Sequence, residues 1–208
     1  MVKIVLISDT HGLHEKINVP DGDMLIHAGD VSNKGSVQGI GNFLYWFEKQ
    51  PHCHKIFIAG NHDFGFENIP ETVEKMIPDS ITYLNDSGIE IEGINIWGSP
   101  VTPWFHDWAF NRLRGGQISK YWDWIPDNTD ILITHGPPKG ILDKCDNGDI
   151  VGCEDLLKRV KEVKPKYHIF GHIHEGYGIS SNENTIFINA SSLNSRYEPV
   201  NEPQIIEL

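Results

Sequence analysis

No apolar run in the 208-residue chain approaches the roughly 20 residues that a transmembrane helix needs. The apolar stretch after Lys3 stops at Ser8 and leads into polar residues, too short for a signal-peptide core. Cysteine is scarce: Cys53, Cys145 and Cys153 are an odd number with no CxxC, which argues against a disulfide framework. The expectation is a cytoplasmic chain with reduced thiols, in which Asn85-Asp86-Ser87 and Asn189-Ala190-Ser191 match the glycosylation pattern by chance. Positive charge is also short, with 17 Lys+Arg against 29 Asp+Glu and a formal net charge of −12. Such a balance excludes an electrostatic grip on long nucleic acid or on an anionic membrane. There is no GxxxxGK[ST], no GxGxxG and no Gly-x-Ser-x-Gly, so the NTPase, dehydrogenase and serine-hydrolase readings lose support.

The chain does have 39% hydrophobic residues, 20 glycines and 11 histidines. That is enough apolar material to bury a core, and with no repeat or linker it reads as one domain over residues 1–208. Short Ile/Leu/Val-rich runs at 3–8, 24–28, 55–59, 131–134 and 167–170 suit strands covered on both faces. Helices are expected over 36–49, 70–76 and 152–163. In the last, Glu154 and Asp155 sit in the first turn and lysines come late, which suits the helix dipole. Alternation at 89–97 and at 177–189 around Gly93 and Ser-Asn-Glu-Asn predicts two antiparallel hairpins. Strand–helix units mixed with hairpins give an α/β chain with mixed sheets. Residues 98–116, with Trp104, Phe105 and Trp108, read as a long irregular loop.

The chemistry collects where these strands end. The five runs finish in Asp9-Thr10-His11, Gly29-Asp30, Gly60-Asn61-His62-Asp63, Thr134-His135-Gly136 and Gly171-His172-Ile173-His174. Ligands of α/β sheets bind at the carboxyl ends of strands, so five such ends can converge on one cleft. Asp9 and His11 are two apart and in extended chain share a side, as do His172 and His174. Mixed carboxylate and imidazole donors suit Mn, Fe or Zn more than Ca or Mg. Seven candidates, Asp9, His11, Asp30, Asn61, His135, His172 and His174, exceed the four that one tetrahedral zinc takes and suggest two ions sharing a carboxylate. A two-metal centre suits phosphoester hydrolysis, because water between the ions becomes a nucleophile at neutral pH. His62 is a candidate proton donor to the leaving group, with Asp63 placed by sequence to orient it. Any one of these motifs alone reads more readily as a turn; their joint occurrence at five strand ends points to a metal centre.

The five ordered blocks resemble the calcineurin-like metallophosphoesterase superfamily. Thr134-His135-Gly136-Pro137-Pro138, Gly171-His172-Ile173-His174-Glu175-Gly176-Tyr177-Gly178 and the stretch from Gly98-Ser99-Pro100 to Trp104-Phe105 resemble its small class III phosphodiesterase branch. The resemblance implies a four-layer α-β-β-α sandwich with two mixed β-sheets. It implies one metal on Asp9, His11, Asp30 and His174, and another on Asp30, Asn61, His135 and His172, with Mn as first choice and His62 as catalytic acid. The expected activity is hydrolysis of small phosphodiesters, cyclic nucleotides among them. The alternatives are a phosphomonoesterase or pyrophosphohydrolase on the same centre, or a non-catalytic scaffold of that fold. The aromatic stretch reads either as a core-covering loop or as a wall for a base or aryl group formed by Trp104, Phe105 and Trp108. Arg114 is a candidate for a phosphate oxygen. His14 is expected to face solvent, His27 and His168 to sit in strands, His52-Cys53-His54 to form a loop, and Asp143, Asp146 and Asp149 to lie in a solvated loop.

Overall fold

In β1 (Lys3–Ile7) the side chains of Ile4 and Leu6 enter one apolar cluster and those of Val5 and Ile7 another. A strand with both faces covered has no polar face to show, which is why the sequence reads as a continuous apolar run. The computed structural model describes all 208 residues. The same division recurs in β2 (Met24–His27), where Met24 and Ile26 face one way and Leu25 the other, and in β3 (His54–Phe57), where Ile56 opposes Phe57.

Two mixed sheets result. The first runs β13 (Gln204–Glu207), β1, β2, β3, β4 (Ile81–Tyr83), parallel throughout except for antiparallel β13. The second runs β11 (Gly178–Ser181), β12 (Ile186–Asn189), β10 (Tyr167–Phe170), β9 (Ile131–Thr134), β6 (Ile94–Ser99), β5 (Ser87–Ile91), parallel inside and antiparallel at both edges. Ile4, Leu6 and Ile26 from the first sheet pack with Ile131, Ile133, Ile169 and Ile188 from the second, so this cluster is the seam between sheets. Each large aliphatic side chain buried there contributes about 1.5–3 kcal/mol.

Helices cover the outer faces. α1 (Val37–Glu48) buries Ile40, Phe43, Leu44 and Phe47, a single stripe, and Ser36 caps it by accepting from Gly39 N at 3.1 Å. On the second sheet lie α4 (Gly116–Trp122), burying Ile118 and Trp122, and α5 (Glu154–Val163), burying Leu156, Val160 and Val163. The architecture is the four-layer α/β sandwich expected, and both predicted hairpins form, the first turning at Glu92 and Gly93. The helix expected over 70–76 is shorter, α3 (Pro70–Val73) followed by a 3₁₀ turn. α2 (Phe64–Asn68), α4, β4 and β13 have no clear sequence signal. The loop at 98–116 is not wholly irregular, since β7 (Thr102–Pro103) pairs with β8 (Asn111–Arg112). No helix is long and apolar enough to cross a membrane, and all three cysteines are free.

Two further expectations are corrected. His14 does not face solvent; it is buried beside Phe43 and Trp46. Asp143 is not in a solvated loop: buried, its Oδ2 accepts from Gly140 N at 2.8 Å and Gly152 N at 2.9 Å, tying two turns together. His27 and His168 are buried in strands. His27 pairs with Thr10 Oγ1 at 3.0 Å and His168 with Thr134 Oγ1 at 2.8 Å.

Candidate metal centre

The parallel strands β1, β2, β3, β9 and β10 all deliver their carboxyl ends to one place. There Asp9, His11 and His174 form one group of potential ligand atoms, Asp30, His135 and His172 another, and His11, Asp30 and His62 a third that overlaps both, the atoms of each lying within 4.8 Å of one another. Asp30 Oδ2 stands between them, 3.6 Å from His11 Nε2 and 3.3 Å from His135 Nε2. Asn61 Oδ1 approaches His135 Nε2 at 2.9 Å.

The side chains do not converge by strand alternation. Asp9, His11, Asp30 and His172 all lie in the left-handed region, with φ of 53°, 44°, 56° and 67°. For non-glycine residues such a conformation costs about 1–3 kcal/mol each and persists only where surrounding contacts impose it. The contacts are visible. Both Asp9 oxygens accept from His172 N at 3.0 Å, and Asp30 Oδ1 accepts from His62 N at 2.8 Å. These approaches need glycine close before the donor: a Cβ at Gly171, one residue before His172, would run into Asp9 Oδ2, and one at Gly60, two residues before His62, into Asp30 Oδ1. His172 and His174, expected to point together, go to different groups.

The donor chemistry fits cations. His135 Nδ1–H donates to the Ala28 carbonyl at 3.0 Å and His174 Nδ1–H to the Asn194 carbonyl at 3.0 Å, which leaves Nε2 of each for the centre. Around His135 Nε2 this puts an imidazole lone pair, a carboxylate oxygen and an amide oxygen together, three acceptors that only a positive species can join. The field has the same sign. Burial alone would depress His135 and His174, yet Asp30 beside the first and Asp9 beside the second hold both at about 9. Burial opposes ionisation of Asp9 and Asp30, but the facing histidines hold both carboxyls below the usual range. His11 and His172, where burial dominates, fall to about 4.

Asp63 does not orient His62. Its carboxylate accepts from Val31 N at 3.0 Å, Ser32 N at 2.9 Å, Ser32 Oγ at 2.7 Å and Gly60 N at 2.9 Å, so it fastens the loop after β2 to the loop after β3. Burial, then the charge of Asp30, pushes its carboxyl up to about 6. His62 is held instead by the Asn33 carbonyl, which accepts from Nδ1–H at 2.9 Å, and by ring contacts with His11 at 4.5 Å and Trp108 at 4.3 Å.

Above the cluster opens a cleft of about 580 Å³, lined by His11, Asp30, Asn61, His62, His172 and His174 below and by Trp104, Phe105 and Trp108 at the side. Arg114 lines it too, anchored by two of its five N–H groups: Nη1 donates to the Gly152 carbonyl at 2.8 Å and Nη2 to the Val151 carbonyl at 2.6 Å. Four contributors went unread in the sequence: Asn33, Ser191, Asn194 and Tyr197. Ser191 Oγ donates to Asp9 Oδ2 at 2.8 Å, and Tyr197 packs on His11 at 4.9 Å and His174 at 5.1 Å. Two of them act through main-chain carbonyls, which no side-chain motif reports.

Comparison with known proteins agrees with this geometry. Residues 2–176 match the profile of the family described as calcineurin-like phosphoesterase. Metallophosphoesterase domain-containing protein 1 of Homo sapiens is 40% identical over 231 aligned positions, covering 99% of this chain and 71% of that protein; the Mus musculus protein of that name gives the same figures. The solved phosphopantetheinyl hydrolase of Mycobacterium tuberculosis superposes with a TM-score of 0.65 at 14% identity, covering 94% of this chain and 90% of that one, a likeness of fold. The chain belongs to the calcineurin-like phosphoesterase family.

Proposed function

We propose that this family member is a metal-dependent hydrolase of small phosphodiesters in which His62 is the general acid. The observation that carries the reading is the placement of His62. It sits at the edge of the buried cluster, with Nδ1–H committed to the Asn33 carbonyl at 2.9 Å and Nε2 left available. Asp9, His11, Asp30 and His174 would hold one ion, and Asp30, Asn61, His135 and His172 the other, with Mn the first choice and Fe or Zn the alternatives. Bound there, two divalent ions supply Lewis-acid charge to phosphoryl oxygens and make water acidic enough to ionise near neutral pH.

The chain's own residues do the rest. Protonated His62 donates from Nε2 to the departing alkoxide oxygen. The Asn33 carbonyl keeps the other proton on Nδ1, and the rings of His11 and Trp108 restrict the imidazole's rotation. Asp63 acts at one remove, by fixing the main chain between Gly60 and His62. Trp104 and Phe105, 51% and 61% exposed, offer flat apolar surface to a planar leaving group such as a base. Among the residues lining the cleft Arg114 is the one Lys or Arg, anchored on the Gly152 and Val151 carbonyls, while Asp149 and Glu175 add negative charge. A second phosphate would meet one guanidinium against two carboxylates there, which favours a single phosphoryl group over a pyrophosphate. A phosphomonoesterase is the competing activity, and a diester and monoester panel separates the two. The substrate is a small molecule of the cytoplasm in this reading.

The test is leaving-group dependence. His62→Ala is expected to lose about 10²–10⁴-fold on an alkyl phosphodiester and far less on an aryl one, whose leaving group needs little protonation. Full activity of the variant on the alkyl substrate would overturn the assignment.

A further inference from the structure

The segment after β12 lies beyond the residues that match the family profile, yet it is wired into the centre. Ser191 reaches Asp9, the Asn194 carbonyl takes the Nδ1–H of His174, and Tyr197 covers His11 and His174. Asn194 is the node of this segment. Its Oδ1 accepts from Arg196 N at 2.9 Å and Glu198 N at 3.0 Å, and its carbonyl also accepts from Tyr197 N at 2.8 Å. The tight turn so formed holds Tyr197 at φ 60°, a conformation that a bulky aromatic residue adopts only when contacts enforce it.

The enforced position is not that of a core residue. Tyr197 is 48% exposed and lines the cleft, and its hydroxyl has no hydrogen-bond partner within the protein. Rings stand in a row, with Trp108 against His62, His62 against His11 and His11 against Tyr197. His62 and Tyr197 therefore flank the same imidazole, one with an N–H donor and the other with an O–H donor. Packing alone would be served by phenylalanine; the phenol adds an O–H donor at the cleft.

We propose that Tyr197 is a substrate-binding residue whose phenol donates to a non-leaving oxygen of the phosphoryl group, across His11 from the proton donor His62. The inference rests on the phosphoesterase reading above but makes a separate prediction. A donor to a non-leaving oxygen helps alkyl and aryl substrates equally, whereas His62 helps the alkyl substrate more.

The experiment uses the full chain, metal-loaded, as wild type and Tyr197→Phe, which keeps the ring. Kinetics on one alkyl and one aryl phosphodiester are combined with calorimetric binding of inorganic phosphate, metal content and melting temperature. The variant is expected to lose about 10–100-fold in kcat/KM on both substrates alike and about tenfold in phosphate affinity, with metal content and melting temperature unchanged. Activity and phosphate affinity within twofold of wild type would overturn the proposal. So would a loss confined to the alkyl substrate, which would place the hydroxyl at the leaving group. A loss accompanied by lower metal content or melting temperature would make Tyr197 structural. If wild type turns over neither diester, the phosphodiesterase reading fails, and the phosphate-binding comparison still decides the role of Tyr197.

Discussion

Around Asp30 every supporting group comes from a strand end: the His62 amide on its carboxylate, and the Ala28 carbonyl on His135. Around Asp9 the pattern repeats with one substitution of source. The His172 amide again meets the carboxylate, but the hydroxyl of Ser191 and the carbonyl that holds His174 come from the segment after β12. The two halves are built alike, an acid in left-handed backbone facing an amide one or two residues past a glycine, yet one is complete within the strand-end motifs and the other borrows its outer contacts. The comparison teaches that a ligand set and the groups that hold it need not be encoded together.

The largest expected effect falls on what the halves share. Asp30→Ala removes the carboxylate lying between His11 and His135. Loss of several kcal/mol of charge stabilisation corresponds to about a thousandfold or more in turnover. Elemental analysis should find both ions depleted; retention of one full equivalent would show the halves to be independent. Next, stripping the metal should cost about 2–3 kcal/mol at an ion concentration of about 100 times Kd, because folded protein alone holds the preformed site. That corresponds to a fall of about 5–10 °C in melting temperature by scanning calorimetry for a chain of this size. An unchanged melting temperature would contradict a preformed cation site.

Ser191→Ala probes the borrowed contacts alone. Removing a hydrogen bond from outside a ligand typically costs about 10–100-fold in metal affinity. The expected result in a two-site titration is weakening of about tenfold in one site with the other unmoved; equal weakening of both would erase the asymmetry. The smallest effect lies outside the centre. His168 is fully buried, and because Thr134 Oγ1 donates to the Gly136 carbonyl at 2.8 Å it accepts the Nε2–H of His168. Burial lowers the His168 pKa to about 3, while the unfolded chain keeps about 6.5. Protons bind the unfolded state first, so the stability that neutral His168 provides is complete above pH 6.5 and is lost as pH falls toward 3. Near pH 5.5 the loss is about 1 kcal/mol, and His168→Gln should flatten that part of a denaturant-measured stability curve. A curve with the same slope in the variant would contradict the assignment.

The same asymmetry governs what could be read from the residues in order. β1, β2, β3, β9 and β10 are legible because burial on both faces turns them into apolar runs, and their ends are legible because Asp, Asn and His follow at once. β4 and β13 are short and partly exposed, and α2 and α4 span few turns, so tertiary packing rather than local pattern decides them. Asp63 misleads because adjacency suggests His62, whereas its oxygens reach back to amides at Val31 and Ser32. Ser191, Asn194 and Tyr197 sit in a polar stretch without periodicity, and they reach Asp9, His174 and His11 respectively.

The central claim is that this chain hydrolyses phosphodiesters through two cations held by the Asp/His cluster. Chelated protein titrated with Mn, with hydrolysis of an aryl phosphodiester followed at each addition, tests it most directly. The account predicts no turnover at the start and a rise that saturates at two equivalents per chain. Undiminished turnover by the chelated protein, or saturation of both sites with no turnover at all, would contradict it.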